Sequence, residues 1–439
     1  MSSLIKGFSK LSREEKIETL TQTYSLPEDF SERLAHYRHP SQQELFDDFS
    51  ENTLSNFYLP FGVAPNFKID DRWYVVPMVV EESSVVAAAS RAAAFWAQNG
   101  GFKTTIHGTL KKGQIWFKWN GPITQIQKHI DTLKAILLKA VKPITENMEK
   151  RGGGVEAISI IPLEQKTSLY QLEVLFETAD SMGANFINSC LEEMKNPLQD
   201  FFQSQETLKQ HGHIDIIMAI LSNYTTGCLV TAAVECPVSA LKPFAADLSS
   251  EQFAEKFKLA VDIARLDPSR AVTHNKGIFN GTDAVVIATG NDFRAVEAAG
   301  HAWAAKDGQY RSLSQCHITD DKIFRLELTL PLALGTVGGL TRLHPLAKLA
   351  IEMLGNPSAR ELMSIAASAG LANNFSAVAS LVTTGIQKGH MKLHLSNLLK
   401  TENASPEETA AAEQYFSNKT VSAKAVKDFL MHFRQQNKS

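Results

Sequence analysis

The densest group of chemically capable residues in this 439-residue chain is Thr273-His-Asn-Lys276-Gly-Ile-Phe-Asn280-Gly281. A lysine held there can polarise a carbonyl oxygen and stabilise a developing oxyanion, and the glycines let a backbone approach a ligand. The same run also reads as a tight turn ahead of a strand, with Lys276 merely solvated. Sixteen positions later Asp292 stands in Gly290-Asn-Asp292-Phe-Arg294. At a strand-to-helix turn it can simply cap the helix; beside a lysine it would hold the ammonium charged and oriented. Glu82 is the second of two adjacent acids after an apolar run. Buried, it could deliver a proton near neutral pH; exposed, it would only complement a helix N-terminus. His390, in Gly385-Ile-Gln-Lys-Gly-His390-Met, has the pKa range of a general acid, though a lone histidine is as readily structural.

No GxGxxG follows an expected strand, and no GxxxxGK[ST] is present. A dinucleotide would therefore need something other than a Rossmann or P-loop cradle. The candidate is Ala179-Asp180-Ser-Met182-Gly183-Ala-Asn185, which opens a helix whose backbone N–H groups can accept a pyrophosphate. A plain capped helix start has the same pattern. Arg151-Gly152-Gly153-Gly154 is a second glycine-rich segment.

The elements that must position these residues follow from periodicity and punctuation. Residues 1–60 read as a polar helical arm, with Ser12-Arg-Glu-Glu15 in capping-box form. A strand over 73–80 leads through Glu81 and Glu82 into an alanine-rich helix capped by Ser83 or Ser84 and stopped at Asn99-Gly100-Gly101. Between about 110 and 222 the pattern predicts a strand at 114–119, a helix at 122–141 and strands at 155–161 and 168–176. A helix at 182–203 and a strand at 213–221 complete a β-α-β-β-α-β order, the ferredoxin-like arrangement. Beyond 223 we expect a strand at Ala284–Ala288, a helix from Phe293 to Ala305, and a capping box at Ser358–Glu361 opening a helix to about Ala369. Ser405-Pro-Glu-Glu408 should start a helix in a small C-terminal appendage.

Bulk properties exclude several classes. Net charge is −3, with 44 basic and 47 acidic side chains, so there is no basic footprint for nucleic acid. The four cysteines contain no CxxC pair, which speaks against a zinc site or a disulfide framework. Charged residues arrive too early for a secretory signal, and no run approaches the roughly 18 uninterrupted apolar residues of a membrane span. The expectation is a cytoplasmic protein with no membrane and no metal.

Taken together the motifs resemble class II 3-hydroxy-3-methylglutaryl-coenzyme A (HMG-CoA) reductases, from about Glu51 to His394. The resemblance rests on Val79-Val-Glu-Glu82-Ser-Ser84, Asp180-Ser-Met-Gly-Ala-Asn185, Asp267-Pro-Ser-Arg270-Ala-Val-Thr-His-Asn-Lys276-Gly-Ile-Phe-Asn280, Ala288-Thr-Gly-Asn-Asp292, Val337-Gly-Gly-Leu-Thr-Arg-Leu-His-Pro and Gly385-Ile-Gln-Lys-Gly-His390-Met. It implies an α+β fold: a large mixed helical/β substrate and dimerisation domain (1–109 and 223–384), an inserted ferredoxin-like NAD(P)-binding domain (110–222), and a helical C-terminal flap (385–439). It also implies the four-electron reduction of HMG-CoA to mevalonate and CoA with two NAD(P)H, by a homodimer or higher assembly with shared active sites. The alternative is the same enzyme run catabolically, oxidising mevalonate with NAD+.

Carried onto this sequence, the resemblance makes Lys276 the oxyanion stabiliser, Asp292 its holder, Glu82 a proton-transfer group and His390 the acid that protonates the CoA thiolate. Ser84, Asn223, Arg270 and Asn280 would contact the HMG moiety, Arg270 through its carboxylate. Asp180, Met182, Gly183, Asn185 and Gly152, Gly153 and Gly154 would hold the nicotinamide cofactor. Where NADH-preferring relatives can place an aspartate, this chain has Thr145 followed by Glu146, which tilts the expectation from NADH towards NADPH. Departures include Ser55 for a glycine in Glu51-Asn-Thr-Leu-Ser55, Ser83 for a proline, and Asn373 for a glutamine.

Overall fold

The computed structural model describes residues 4–163, 168–383, 385, 395–417, 419 and 421–436. Contacts divide the chain into Met1–Pro60 and Phe61–Ser439. The first unit carries helices α1 (Arg13–Thr23), α2 (Phe30–His36) and α3 (Gln43–Asp47). The capping box at Ser12 and Glu15 is formed in both directions. Paired amide hydrogen bonds join Gln43 to Asn56. Ser55 uses the hydroxyl that a glycine would lack to donate to the Leu34 carbonyl at 2.6 Å.

In the second unit, strands β1 (Phe61–Ile69) and β2 (Arg72–Val79) form an antiparallel hairpin followed by α4 (Val85–Gln98). Strand β3 (Lys103–Ile106) leads into β4 (Lys111–Lys118), α5 (Ile123–Gln127) and α6 (Ile130–Glu149). Then come β5 (Gly154–Pro162), β6 (Leu169–Glu177), α7 (Ala184–Ser204), α8 (Glu206–Lys209) and β7 (Asp215–Ser222). Strands β4 to β7 make one antiparallel sheet in the order β5-β6-β4-β7. With α6 and α7 against it this is the split-βαβ arrangement, and it encloses its own core around Phe117, Leu172 and Leu191. The single expected helix at 122–141 is two, α5 and α6, and α6 runs on through Pro143.

Strand β8 (Leu229–Pro237) joins β3, β10 (Ile323–Pro331) and β9 (Ser314–Ile318) in a second antiparallel sheet, ordered β3-β8-β10-β9. Between β8 and β9 lie α9 (Ser250–Leu266), α10 (Pro268–Ala288) and α11 (Phe293–Ala304); α12 (Gly339–Leu343), α13 (Pro345–Met353) and α14 (Ala359–Val382) follow β10. Helix α14 packs against α10, α4, α9 and this sheet. It is long and apolar enough to cross a membrane, but 78% of its apolar window is buried in the fold, so its composition is that of a central core helix.

Two expectations are corrected here. Ala284–Ala288 is not a strand but the last turn and a half of α10. A five-residue apolar run cannot by itself separate a strand from a buried helix segment; Asp267 accepting the Arg270 N–H, with Pro268 at the first helical position, starts a helix that runs straight through it. Helix α14 ends at Val382 rather than near Ala369. Its polar Asn373 and Asn374 are internal, and Asn374 bonds Ser314 and His274 inside the core. The capping boxes at Ser358 and Ser405 are both formed. The second opens Pro406–Tyr415, which with 395–401 and Ala423–Gln436 encloses a small core of Leu399, Phe416 and Leu430.

Candidate active site

Lys276 sits in the third turn of α10, in a helix rather than the expected turn. Gly281 serves helix packing: a Cβ there would run into the Ala369 backbone of α14 and into Asn373 Nδ2. Four residues on, Asn280 projects from the same helix face. Both side chains reach one carboxylate oxygen, Oε2 of Glu82: the Lys276 ammonium donates at 2.5 Å and the Asn280 amide at 3.4 Å.

Glu82 comes from the connection between β2 and α4, which pack against α10. This connection ends at Ser84, held at a left-handed φ of 78°. Ser84 occupies the N-cap position of α4, yet its hydroxyl makes no capping hydrogen bond, so the expected side-chain cap is absent. Lys276 and Glu82 are both solvent-accessible, with 60% and 36% of their side-chain surface exposed. A lysine–carboxylate–amide cluster of this kind can bind a carbonyl oxygen through the ammonium while the carboxylate relays a proton.

Other expected members have different partners. Asp292 turns α10 into α11, a helix-to-helix rather than strand-to-helix junction. Its carboxylate accepts the Arg294 and Ala295 N–H groups and pairs with the Arg294 guanidinium; the ion pair of Lys276 is with Glu82 instead. Arg270 lies six residues before Lys276, about 120° away around α10. Asn223 follows β7 and lines a cleft with Met182, Ser222, Ala295 and Val296. His390 lies outside the described residues.

Among the expected cofactor residues, Gly183 stands at the N-cap of α7 with φ 85° and leaves the first turn without a side-chain cap. The Asp180 carboxylate instead caps α14, accepting the Ala359 N–H at 2.7 Å. Gly152 and Gly154 have φ of 82° and 134° at the entry to β5, and the Gly153 N–H donates to the Met148 carbonyl. Thr145 is buried in α6 and donates to Glu149, while Glu146 pairs with Lys150. No group of three metal-ligating side chains occurs among the described residues.

Two buried titratable groups of α10 have no counterpart among the residues that spacing singles out. His274, two residues before Lys276, bonds Ser314 and Asn374. Burial drives its pKa down to about 3, helped by the Arg270 charge. Asp283, further along the helix, has a buried Oδ1 with no hydrogen-bond partner among the described residues; burial first, and the charge of Glu297 on α11 second, push its pKa up to about 8. Neither burial nor partner is legible in the sequence, because Ser314 and Asn374, which bond His274, and Glu297, which faces Asp283, come from other elements of the fold.

The hydroxymethylglutaryl-coenzyme A reductase family model matches residues 12–395. The 3-hydroxy-3-methylglutaryl-coenzyme A reductase of Archaeoglobus fulgidus is 35% identical over 411 residues, covering 93% of this chain and 89% of that one. A probable 3-hydroxy-3-methylglutaryl-coenzyme A reductase of Borreliella burgdorferi is 33% identical over 358 residues, 80% and 79% of the two chains. Among solved structures, the Streptococcus pneumoniae reductase aligns with TM-score 0.73 and 37% identity over 98% of this chain and 99% of that one. The class II enzyme of that organism bound to NADPH in open conformations aligns with TM-score 0.72 and 37% identity, over 86% and 99%. The shared helical and sheet architecture and a family match over most of the sequence lead to one conclusion: this chain belongs to the hydroxymethylglutaryl-coenzyme A reductase family.

Proposed function

We propose that this chain reduces HMG-CoA to mevalonate and free CoA, consuming two nicotinamide dinucleotides. The observation that carries this reading is the convergence of Lys276 and Asn280 on Glu82 Oε2. The Lys276 ammonium binds the thioester oxygen and stabilises the negative charge it gains. Glu82, which accepts a hydrogen bond from the Lys276 ammonium, passes a proton to that oxygen once it is itself protonated. When the C–S bond breaks, the thiolate of CoA takes a proton, the role assigned to His390. The aldehyde left behind is reduced at the same oxygen site. Asp292 belongs to the proposal as a residue that holds the local polar network, acting through the start of α11 and Arg294.

The nicotinamide group supplies the two hydrides when bound. The residues present fit such a ligand: α7 begins without a side-chain cap at Gly183, so its first N–H groups are available to a pyrophosphate. Met182, Gly183 and Asn185 would hold it, with Gly152, Gly153 and Gly154 beside the sheet, and Asp180 fixing the turn through α14. The split-βαβ unit (110–222) is thus the cofactor domain and the remainder of 1–384 the substrate domain. The segment from 385 would close over the site, which excludes water from the reaction. Ser84, Asn223 and Arg270 would join Asn280 around the HMG group. A cytoplasmic homodimer, with active sites shared between its two copies, completes the reading. NADPH is the favoured cofactor: Thr145 is neutral and buried, and Glu146 is taken up by Lys150. The oxidative direction gains no support from a family described as reductases.

The test is oxidation of NADH and NADPH, side by side, with and without HMG-CoA. Oxidation should require HMG-CoA and consume two cofactors per CoA released. Absence of turnover with both cofactors between about pH 5 and 9 would overturn the reading.

A further inference from the structure

We propose that Lys111 is a phosphate-binding residue, whose ammonium takes the diphosphate bridge of the dinucleotide at the start of α7. Lys111 is the first residue of β4 and is only 5% exposed. A buried ammonium is costly unless it is paired. Yet no carboxylate lies within ion-pair distance of Lys111 among the described residues, and its hydrogen bond is a long one, 3.4 Å to the Thr109 carbonyl. An ammonium has three donors, so most of its capacity is unspent.

The neighbouring acids are committed elsewhere. Glu177 gives one oxygen to Thr109 and the other to the N–H groups of Thr178 and Ala179. Glu173 pairs with Lys112 at 2.5 Å. Lys111 lines the same cleft as Met182 and Ala184, and no acidic residue lines that cleft. The positive end of the 21-residue helix α7, which has no acid in its first turn, therefore shares the cleft with an unneutralised buried cation. A positive helix end and a buried ammonium with no carboxylate at ion-pair distance among the described residues fit an anion. The diphosphate suits the place because Met182 and Gly183 belong to the proposed cofactor segment, while Arg270 is assigned to the carboxylate of HMG. This inference rests on the cofactor reading above and adds a residue that spacing did not single out.

Calorimetric titration of the full chain with NADH, NADPH and HMG-CoA tests it, in the unmodified protein and in Lys111→Met and Lys111→Arg. Lys111→Met should weaken NADH and NADPH by a common factor of about ten, leave HMG-CoA affinity unmoved, and keep or raise the melting temperature, because an unpaired buried charge has been removed. Lys111→Arg should recover most of the affinity. Unchanged dinucleotide affinity in Lys111→Met overturns the proposal. So does a loss confined to NADPH, which would assign the 2′-phosphate, or an equal loss for HMG-CoA. A large fall in melting temperature, or failure to fold, would make Lys111 structural and overturn it as well. If the unmodified protein binds neither dinucleotide, the cofactor reading itself has failed; if it binds both and Lys111→Met binds equally well, only this assignment has.

Discussion

The Lys276 ammonium and the Glu82 carboxylate meet at 2.5 Å across 194 residues of sequence. Both side chains are substantially exposed, and an exposed ion pair contributes only about 0–1 kcal/mol to stability. Its value must lie in what it does to a ligand. Lys276→Ala and Glu82→Gln should therefore leave the melting temperature within a few degrees of the parent, roughly what 1 kcal/mol produces. HMG-CoA-dependent turnover should fall by about 10²–10³ or more in each. Thermal melting and the cofactor assay on the same samples check this; a variant that melts early but turns over normally would make the pair structural.

Two glycines of α10 should respond in opposite directions. A Cβ on Gly277 meets nothing within 4 Å, whereas one on Gly281 meets the α14 backbone and Asn373. Gly277→Ala should stabilise the fold by about 0.5–1 kcal/mol, the helical advantage of alanine. Gly281→Ala should cost about 1–3 kcal/mol through overpacking. Denaturant unfolding of the two variants provides the comparison, and equal effects would mean that α10 and α14 are not as closely packed as the structure has them.

These glycines also mark where local sequence signals stop being sufficient. The capping boxes at Ser12, Ser358 and Ser405 are legible because each is a local exchange between residues three apart. The β-α-β-β-α-β order is legible because alternating and helical periodicities switch cleanly there. Helix α10 is not: Gly277, Asn280 and Gly281 look like a turn, but the start at Asp267 and Pro268 and the close approach of α14 at Gly281 carry the helix through them, so context overrides local propensity. In the site, Lys276 and Glu82 can be named from their motifs, but not their contact. Asp292 differs from expectation in its partner, since the carboxylate that reaches Lys276 is Glu82. Lys111 escapes notice in the sequence because burial, not residue type or spacing, makes it unusual.

Gly183 should be intolerant of a side chain. Its φ is 85°, and a Cβ would come within 2.5 Å of Thr178 Cγ2. Gly183→Ala should cost about 1–3 kcal/mol in backbone strain and crowding. The turn that aims the first N–H groups of α7 would shift, so dinucleotide affinity should fall while HMG-CoA affinity holds. Titration of each ligand decides it: equal losses for both would mean that the whole fold, not the turn, has been disturbed.

Two buried groups should give stability a pH dependence of opposite sign. His274 is held by burial to a pKa of about 3 in the folded state, against about 6.5 unfolded. The unfolded chain thus gains a proton that the folded one refuses, and stability is lost as pH falls from about 6.5 towards 3. Asp283 runs the other way. Burial and Glu297 raise it to about 8, against about 3.9 unfolded, so its contribution is full below about pH 4 and is lost as pH rises through about 8. Asp283→Asn keeps the shape of the side chain but cannot ionise. Relative to the parent it should gain at least about 1 kcal/mol between about pH 5 and pH 8, the scale of one pKa unit. His274→Gln should lose less than the parent between about pH 6.5 and 4. Urea unfolding across that range measures both. A parallel pH profile for parent and Asp283→Asn would show that Asp283 is not held protonated by burial and Glu297.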